Sequence, residues 1–123
     1  MIFNCLDKYN DMTAIIDSDG TRMTYENLIK LADKFGEKIP SRQVVLMICE
    51  NSIYSIASYI GFIRNGVVPL LIDCKLSQES VNIVCETYDI SYMFTPSSEM
   101  SKYMENYSEF YALNSYSLSK IKV

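Results

Sequence analysis

A glycine near the middle of the chain joins a helical stripe of apolar residues directly to an apolar strand. The segment Ile63–Asp73 turns through Gly66 and continues as a run of apolar residues that ends at an aspartate. A helix that ends at a glycine and is followed at once by a strand is one half of a βαβ unit. This segment therefore predicts an α/β fold, and no other feature constrains the chain as much.

The other predicted strands place this unit in a sheet. Val44–Cys49 is apolar without alternation, the pattern of a parallel central strand covered on both faces. The strand after Gly66, Val67–Ile72, contains Pro69, which lacks a backbone donor and belongs at a sheet edge or a bulge. The remaining predicted strands are Tyr92–Thr95 and a short one at Phe110–Leu113.

Four helices are predicted from apolar residues spaced i, i+3, i+4 and i+7. Thr24 caps the first, which runs from Tyr25 to about Ile39 and stops before Pro40. Ser77 caps the third. The four stripes are Leu28, Leu31, Ala32 and Phe35; Ile53, Ile56, Ala57, Ile60 and Ile63; Val81, Val84, Cys85 and Tyr88; and Met100, Tyr103, Met104 and Tyr107.

A β-hairpin is predicted ahead of the first helix. Thr13–Ile16 and Thr21–Thr24 flank Asp17-Ser18-Asp19-Gly20, whose residue types favour a reversal. The strict alternation of helices and strands that follows predicts a three-layer α/β/α fold with a mainly parallel sheet. We expect residues 1–123 to form a single α/β domain.

Composition narrows the class of protein. Hydrophobic residues make up 49% of the chain and charged residues 21%, which is typical of globular proteins. A net charge of -4 has the wrong sign for nucleic acid binding. The N-terminus lacks the pattern of a secretory signal, and no apolar run approaches the roughly 20 residues that span a bilayer. We therefore expect a cytoplasmic protein that binds neither nucleic acid nor membrane.

Several kinds of chemistry are excluded by the residues that are absent. The chain contains no histidine, which removes histidine-based triads and the usual general base at neutral pH. The four cysteines show no CxxC pairing, so we expect reduced, buried or half-buried thiols rather than a zinc site. Because parallel strands end at one sheet edge, Cys49 and Cys74 are expected to be neighbours; the other two are Cys5 and Cys85.

Position alone suggests three candidate site loops. Ligands of open α/β sheets bind outside the carboxyl ends of the strands, here the loops Cys49–Ser52, Asp73–Lys75 and Thr95–Ser98. Asp73 could act as a base or a magnesium ligand, but a single carboxylate after a strand more often hydrogen-bonds its own loop. Glu50 is expected to be a solvated loop residue.

The remaining polar residues of these loops also have structural interpretations. Asn51 and Ser52 are expected to cap a helix, although the N–H groups at a helix start can also receive an anion. Lys75 has no glycine-rich segment before it. The GxxxxG match at Gly61–Gly66 lacks the GK[ST] ending and lies in a predicted helix, so it is not a P-loop. We assign no catalytic, cofactor-binding or metal-binding residue.

Three short motifs together resemble the opening of the adenylate-forming superfamily, which includes acyl-CoA synthetases, luciferases and peptide-synthetase adenylation domains. They are Thr24-Tyr25-Glu26-Asn27-Leu28, then Asn51-Ser52, then the residues Arg64, Gly66, Pro69, Leu71 and Asp73. They occur in the family's order and cover roughly Thr13 to Thr95. The chain departs from the pattern at Glu50, where the family commonly has a proline.

The resemblance implies that the chain is the N-terminal segment of an ATP-dependent, AMP-forming synthetase or ligase. In that family these motifs are structural supports, while later segments hold ATP, magnesium and the carboxylic acid. The implied partner is the remainder of the adenylation domain, and the segment alone is expected to be inactive. We expect the reading frame to continue beyond Val123 with a stretch rich in Thr, Ser and Gly and a lysine.

Two further expectations concern association and the rival function. A segment of a larger domain should expose apolar surface, and self-association is expected through its final stretch, which contains Phe110, Tyr111, Tyr116, Leu118 and Ile121. The alternative is a complete small α/β protein that binds a nucleotide-like ligand or a protein partner without catalysis.

Overall fold

The computed structural model describes residues 11–16, 20–50, 52–73, 75–113 and 115–122. Its strands are β1 Thr13–Ile16, β2 Arg22–Thr24, β3 Val44–Cys49, β4 Val68–Asp73, β5 Tyr92–Pro96, β6 Tyr107–Leu113 and β7 Tyr116–Ile121. Its helices are α1 Tyr25–Gly36, α2 Ile53–Arg64, α3 Gln78–Thr87 and a 3₁₀ helix, Ser97–Lys102. The elements form two compact units, one containing β1, β2, α1 and α2 and the other containing β3 to β7, α3 and the 3₁₀ helix.

In the first unit, β1 and β2 pair antiparallel as a two-stranded sheet. The turn expected between them falls on residues 17–19, outside the described part of the chain. Helix α1 starts as expected, because the Thr24 side chain accepts a hydrogen bond from the N–H of Asn27 at 3.2 Å. It ends at Gly36, three residues before the expected Ile39, and the N–H of Lys38 bonds the Phe35 carbonyl in a tightened last turn.

Helices α1 and α2 pack so closely that their backbones are in contact. A Cβ on Gly61 would lie 1.9 Å from the carbonyl oxygen of Ala32, and one on Gly36 would lie 2.3 Å from the carbonyl oxygen of Gly61. Arg64, at the end of α2, contacts Asp33 through an Nε to Oδ1 distance of 3.2 Å. The side-chain amide of Asn65 donates to the Gly61 carbonyl at 2.7 Å. Small residues therefore set the approach of the two helices, and polar contacts hold one end of it.

The buried face of α2 differs from the predicted isoleucine stripe. Ile53 and Ala57 are buried, but Ile56 is exposed and the other two isoleucines are only partly buried. The face is completed by Ser55, Ser58, Gly61 and Phe62. The prediction was wrong because close helix packing selects small residues, and the Ser58 hydroxyl is satisfied by donating to the Tyr54 carbonyl at 2.7 Å.

The second unit is built on a five-stranded sheet of order β4-β3-β5-β7-β6. Strand β3 pairs parallel with both β4 and β5, which confirms it as a central parallel strand. Strand β4 lies at an edge, as Pro69 predicted. The N–H of Val68 donates to the Gln43 carbonyl at 2.8 Å, so in the alternating ladder the nitrogen of Pro69 faces away from β3.

One face of this sheet packs on α3 and the 3₁₀ helix. The buried cluster contains Leu46, Ile48, Val81, Cys85, Ile90, Met93, Met100, Tyr103 and Tyr107. Tyr88, predicted on the α3 stripe, is 67% exposed because it follows the last turn of the helix. The predicted fourth α-helix is wrong: its first part is the 3₁₀ helix, Met104 is exposed, and Tyr107 begins β6.

The final stretch is the largest departure from expectation. Tyr116–Ile121 is strand β7, inserted between β5 and β6 and antiparallel to both. The sheet is therefore mixed, with two parallel and two antiparallel pairings. Tyr116 and Leu118 are buried, so they do not belong to the exposed apolar surface that the sequence predicted, whereas Phe110 is 43% exposed. The mixed α/β class is confirmed, and the three-layer arrangement stays a prediction.

Two other expectations can be compared with the described residues. Cys85 is a free, buried thiol, whereas Cys5, Cys74 and the side chain of Cys49 fall outside the described residues, so their proximity is untested. Within the described ranges no helix has the length and apolar character needed to cross a membrane.

Candidate functional site

The candidate loops after β4 and β5 meet at one edge of the sheet, together with the start of the loop after β3. Parallel pairing brings Cys49 level with Asp73 and carries β5 in the same direction. Antiparallel β7 adds Tyr116 at this edge, opposite Pro96. Alternation of helices and strands predicted the shared edge, whereas the contribution of β7 was missed. Asn51 and Cys74 are outside the described residues, and Ser52 belongs to the other compact unit.

Asp73 holds its own loop. Its Oδ1 accepts a hydrogen bond from the N–H of Lys75 at 2.9 Å, and its carbonyl accepts one from the N–H of Leu76 at 3.1 Å. This is an Asx-type turn, which needs no ligand. Over the described residues, no group of three or more acidic, cysteine or histidine side chains is placed to hold a metal ion. The structural interpretation of Asp73 therefore fits the geometry.

Glu50 lies near the stacked aromatic rings of Phe94 and Tyr116. The Tyr116 hydroxyl lies 3.5 Å from Oε1 of Glu50, a long and weak hydrogen bond. The Phe94 ring stacks on Tyr116 with centroids 5.0 Å apart and planes 8° apart. Glu50 is exposed, as expected for a loop residue, while Tyr116 is 4% exposed. A contact this long does not fix the loop, and the Glu50 carboxylate stays in water.

The serines at this edge bond to one another. The N–H of Ser97 donates to the Ser115 carbonyl at 2.8 Å, and the hydroxyls of Ser97 and Ser117 are 2.7 Å apart. Ser117 also donates to the carboxylate of Glu109 on β6. Of these groups only the Ser117 hydroxyl is buried, and it is satisfied by Ser97 of the 3₁₀ helix and Glu109 of β6. The bonds explain the two serines as structural groups rather than as nucleophiles.

A separate cleft of about 500 Å³ lies near the other end of the strands, where β6 begins and β7 ends. It is lined by Asn82, Cys85, Glu86, Asp89, Glu105, Asn106, Tyr107, Ile121 and Lys122. The Tyr107 hydroxyl donates to the Ile90 carbonyl at 2.6 Å, and Lys122 donates to the Met104 carbonyl at 2.6 Å. The sequence did not reveal this cleft because its walls come from three separate segments.

Two ionisable groups in the cleft wall, Cys85 and Tyr107, have raised pKa values. Burial raises the pKa of the Cys85 thiol, an effect that its hydrogen bond with Tyr107 reduces and the charge of Glu86 increases. Burial also raises the pKa of Tyr107, and its hydrogen bond with Cys85 adds to the shift. A thiol must ionise to act as a nucleophile. Cys85 is therefore a packing residue at neutral pH.

The fold resembles that of several enzymes of known structure. The o-succinylbenzoate CoA synthetase MenE of Bacillus subtilis matches 83% of this chain with a TM-score of 0.72 at 18% identity. ATP-bound MatB of Rhodopseudomonas palustris matches 84% with a TM-score of 0.74 at 17% identity. The N-terminal domain of FACL13 of Mycobacterium tuberculosis matches 80% with a TM-score of 0.69 at 17% identity. The chain has the fold of part of an adenylate-forming enzyme.

The fold that the chain shares with these enzymes confirms the resemblance to the adenylate-forming superfamily that the sequence motifs indicated. The chain spans 29% of the MenE chain, 21% of the MatB chain and 26% of the FACL13 chain. No protein-family model and no curated protein matches the sequence. The similarity therefore establishes the fold of a segment, and the activity of a whole protein is a separate question.

Proposed function

We propose that this chain is the N-terminal scaffold segment of a larger AMP-binding domain in an ATP-dependent, acid-activating enzyme. In the whole protein, a carboxylic acid and ATP would give an acyl-adenylate and pyrophosphate, and the acyl group would then pass to a thiol or an amine. The observation that carries the proposal is the match of 83% of the chain to MenE at a TM-score of 0.72.

The matched proteins supply the reaction class. MenE was solved with its acyl-adenylate intermediate and, separately, with ATP and a magnesium ion. The anthranilate CoA ligase AuaEII was solved with anthranoyl-AMP. These enzymes act on different acids but share the acyl-adenylate. Their likeness therefore supports adenylate formation and leaves the acid open.

The role we propose for this segment is support rather than catalysis. Among the described residues, the Asp73 carboxylate is used by its own loop, and no group of three or more acidic, cysteine or histidine side chains is placed for a metal ion. We therefore assign no step of adenylate formation to them. What the segment provides is a sheet whose strand ends are held by contacts such as Asp73 to Lys75 and Ser97 to Ser117.

A small binding module without catalysis is the rival function. The similarity to a segment of several ligases does not favour it, because the matched region in those proteins is embedded in a chain three to five times longer, as the covered shares of 21–29% indicate.

The test is acid-dependent exchange of pyrophosphate into ATP, measured for the complete polypeptide encoded by the reading frame against a panel of carboxylic acids. We expect exchange that requires one class of acid. Asp73→Asn should retain it, since that carboxylate is assigned to its loop. Absence of exchange with every acid, together with tight binding of a small ligand, would favour the binding module. Exchange abolished by Asp73→Asn in a folded protein would make Asp73 catalytic.

A further inference from the structure

Strand β4 has the sequence of a covered strand but lies open at the sheet edge. Its first five residues are apolar, the pattern of a strand that is buried on both faces. Yet Val68 and Leu71 are each 53% exposed, and Leu76 in the following loop is 44% exposed. Among the described strands, β4 pairs with β3 alone.

The exposed residues lie on both faces of the sheet. Side chains alternate along a strand, so Val68 and Leu71, three positions apart, point to opposite faces. The uncovered surface therefore wraps around the edge. Exposed large apolar side chains on both faces of an unpaired edge strand are typical of a docking site rather than of a solvated edge.

Pro69 determines how such a surface can be covered. Its nitrogen faces away from β3, toward the position that a sixth strand would occupy, and it carries no hydrogen to donate. A strand added there would lack a ladder bond near its start. Coverage of β4 is therefore expected to come from packed side chains, not from continuation of the sheet.

The opposite edge of the sheet has a different character. Three of the exposed residues of β6, Ser108, Glu109 and Ala112, are polar or small. The exposed aromatic residue on that strand, Phe110, already makes an edge-to-face contact with Tyr92 at 6.1 Å. The β6 edge is thus compatible with water, and of the two edge strands β4 carries the more exposed apolar side chains.

We propose that β4 and Leu76 form an apolar docking surface, the β4 surface, for the remainder of the longer adenylate-forming polypeptide. This proposal rests on the proposed function. The occupant follows from length, because the matched regions make up only 29% of MenE and 21% of MatB. A second copy of this chain fits less well, since two β4 edges paired across a twofold axis would each lack the donor at Pro69.

The test measures alkylation of single introduced cysteines in the complete polypeptide, with peptide mapping to separate them from the native thiols. Leu71→Cys and Val68→Cys probe the two faces of the β4 surface. Met104→Cys is the matched control, because Met104 is 55% exposed and lies away from β4 in sequence. We expect both β4 thiols to react with a maleimide at least about tenfold more slowly than the control thiol, and all three to react equally in denaturant.

Three outcomes would overturn the proposal. Reaction of both β4 thiols as fast as the control would show an open edge. Protection that disappears on dilution would identify a second copy as the occupant. A reading frame without further sequence would leave no such occupant. Pyrophosphate exchange, measured on the same variants, separates the two proposals: exchange without protection removes the β4 surface alone, and protection without exchange removes the enzymatic function alone.

Discussion

The carbonyl oxygen of Ala32 occupies the space that a side chain on Gly61 would need, since a Cβ there would be 1.9 Å away. The colliding atom belongs to the backbone of another helix and cannot rotate aside. We therefore expect Gly61→Ala to destabilise the protein by about 3 kcal/mol or more, despite a gain of about 1 kcal/mol in helix propensity.

Chemical denaturation of Gly61→Ala measures this cost. Ile56→Ala on the same helix is the control, because Ile56 is exposed and its truncation should cost less than about 1 kcal/mol. An unfolding free energy for Gly61→Ala equal to that of the control would show that α1 and α2 are not in backbone contact.

Two serines on β7 should respond oppositely to the same substitution. Ser117 and Ser119 are both fully buried, but Ser117 bonds to Ser97 and Glu109, whereas the Ser119 hydroxyl has no hydrogen-bond partner among the described residues. Burying an unsatisfied hydroxyl costs about 1–3 kcal/mol. Ser119→Ala should therefore be neutral or stabilising, and Ser117→Ala destabilising by about 1–2 kcal/mol. Thermal unfolding of the two variants under one buffer checks this; a larger loss for Ser119→Ala would contradict the burial pattern of β7.

Stability should fall at alkaline pH. Burial raises the pKa of Cys85 above 9.0 and the pKa of Tyr107 above 10.0, so the unfolded chain loses these protons first. The unfolded state then binds fewer protons, and the free energy of unfolding decreases as pH rises from about 9, by up to about 1.4 kcal/mol per pH unit for each group. Below about pH 8 these groups contribute almost no slope, because both keep their protons in the folded and in the unfolded chain.

Tyr107→Phe isolates the phenol. It removes the hydrogen bond to the Ile90 carbonyl, so stability at pH 7 should drop by about 1 kcal/mol. Above pH 10, however, its stability should fall less steeply than that of the parent protein. Denaturation midpoints from pH 7 to pH 11 give both slopes, and parallel curves would show that Tyr107 does not keep its proton on folding.

The Cys85 thiol should be slow to react in the native protein. It is 8% exposed, and its raised pKa leaves little thiolate at pH 8. We expect alkylation by iodoacetamide at least about a hundredfold slower than for a cysteine in an unstructured peptide, with full reaction in denaturant. Mass spectrometry of the peptide containing Cys85 follows this thiol alone. A native rate near that of the peptide would mean that the packing of α3 is wrong.

Features fixed by neighbouring residues could be predicted from the sequence. Thr24, Ser52 and Ser77 each cap a helix through a hydrogen bond to the N–H three residues later. Apolar Val44–Cys49 is an interior strand, paired parallel on both sides. Capping and burial on both faces depend on local residue types, which is why they appear in a single sequence.

The prediction of a fourth helix was wrong because buried residues can recur at helical spacing without lying on one helix. Met100, Tyr103 and Tyr107 are all buried in the same cluster, but they reach it from a 3₁₀ helix, a turn and the start of a strand. Periodicity detects a shared buried face and cannot tell which backbone carries it.

Strand β7 was missed for a different reason. No strand was predicted after Phe110–Leu113, and the stretch contains the polar residues Ser117 and Ser119, yet both side chains are fully buried. The buried Ser117 hydroxyl is hydrogen-bonded to Glu109 on β6 and to Ser97 after β5. These partners lie 8 and 20 residues away in sequence, so no local pattern reveals them. The candidate edge shows the same limit: the three loops could be located, but the Tyr116 contact with Glu50 spans 66 residues.

The position of β7 between β5 and β6 has a consequence during synthesis on the ribosome. Strand β5 is complete at Pro96, but the neighbour that covers its open edge begins at Tyr116. At about 5–20 residues per second, the nascent chain carries that edge unpaired for about one to four seconds. Within this interval, buried residues such as Phe94 are accessible to chaperones and to other nascent chains. Substitutions in β7 should therefore reduce the yield of folded protein in cells more than their effect on equilibrium stability would suggest.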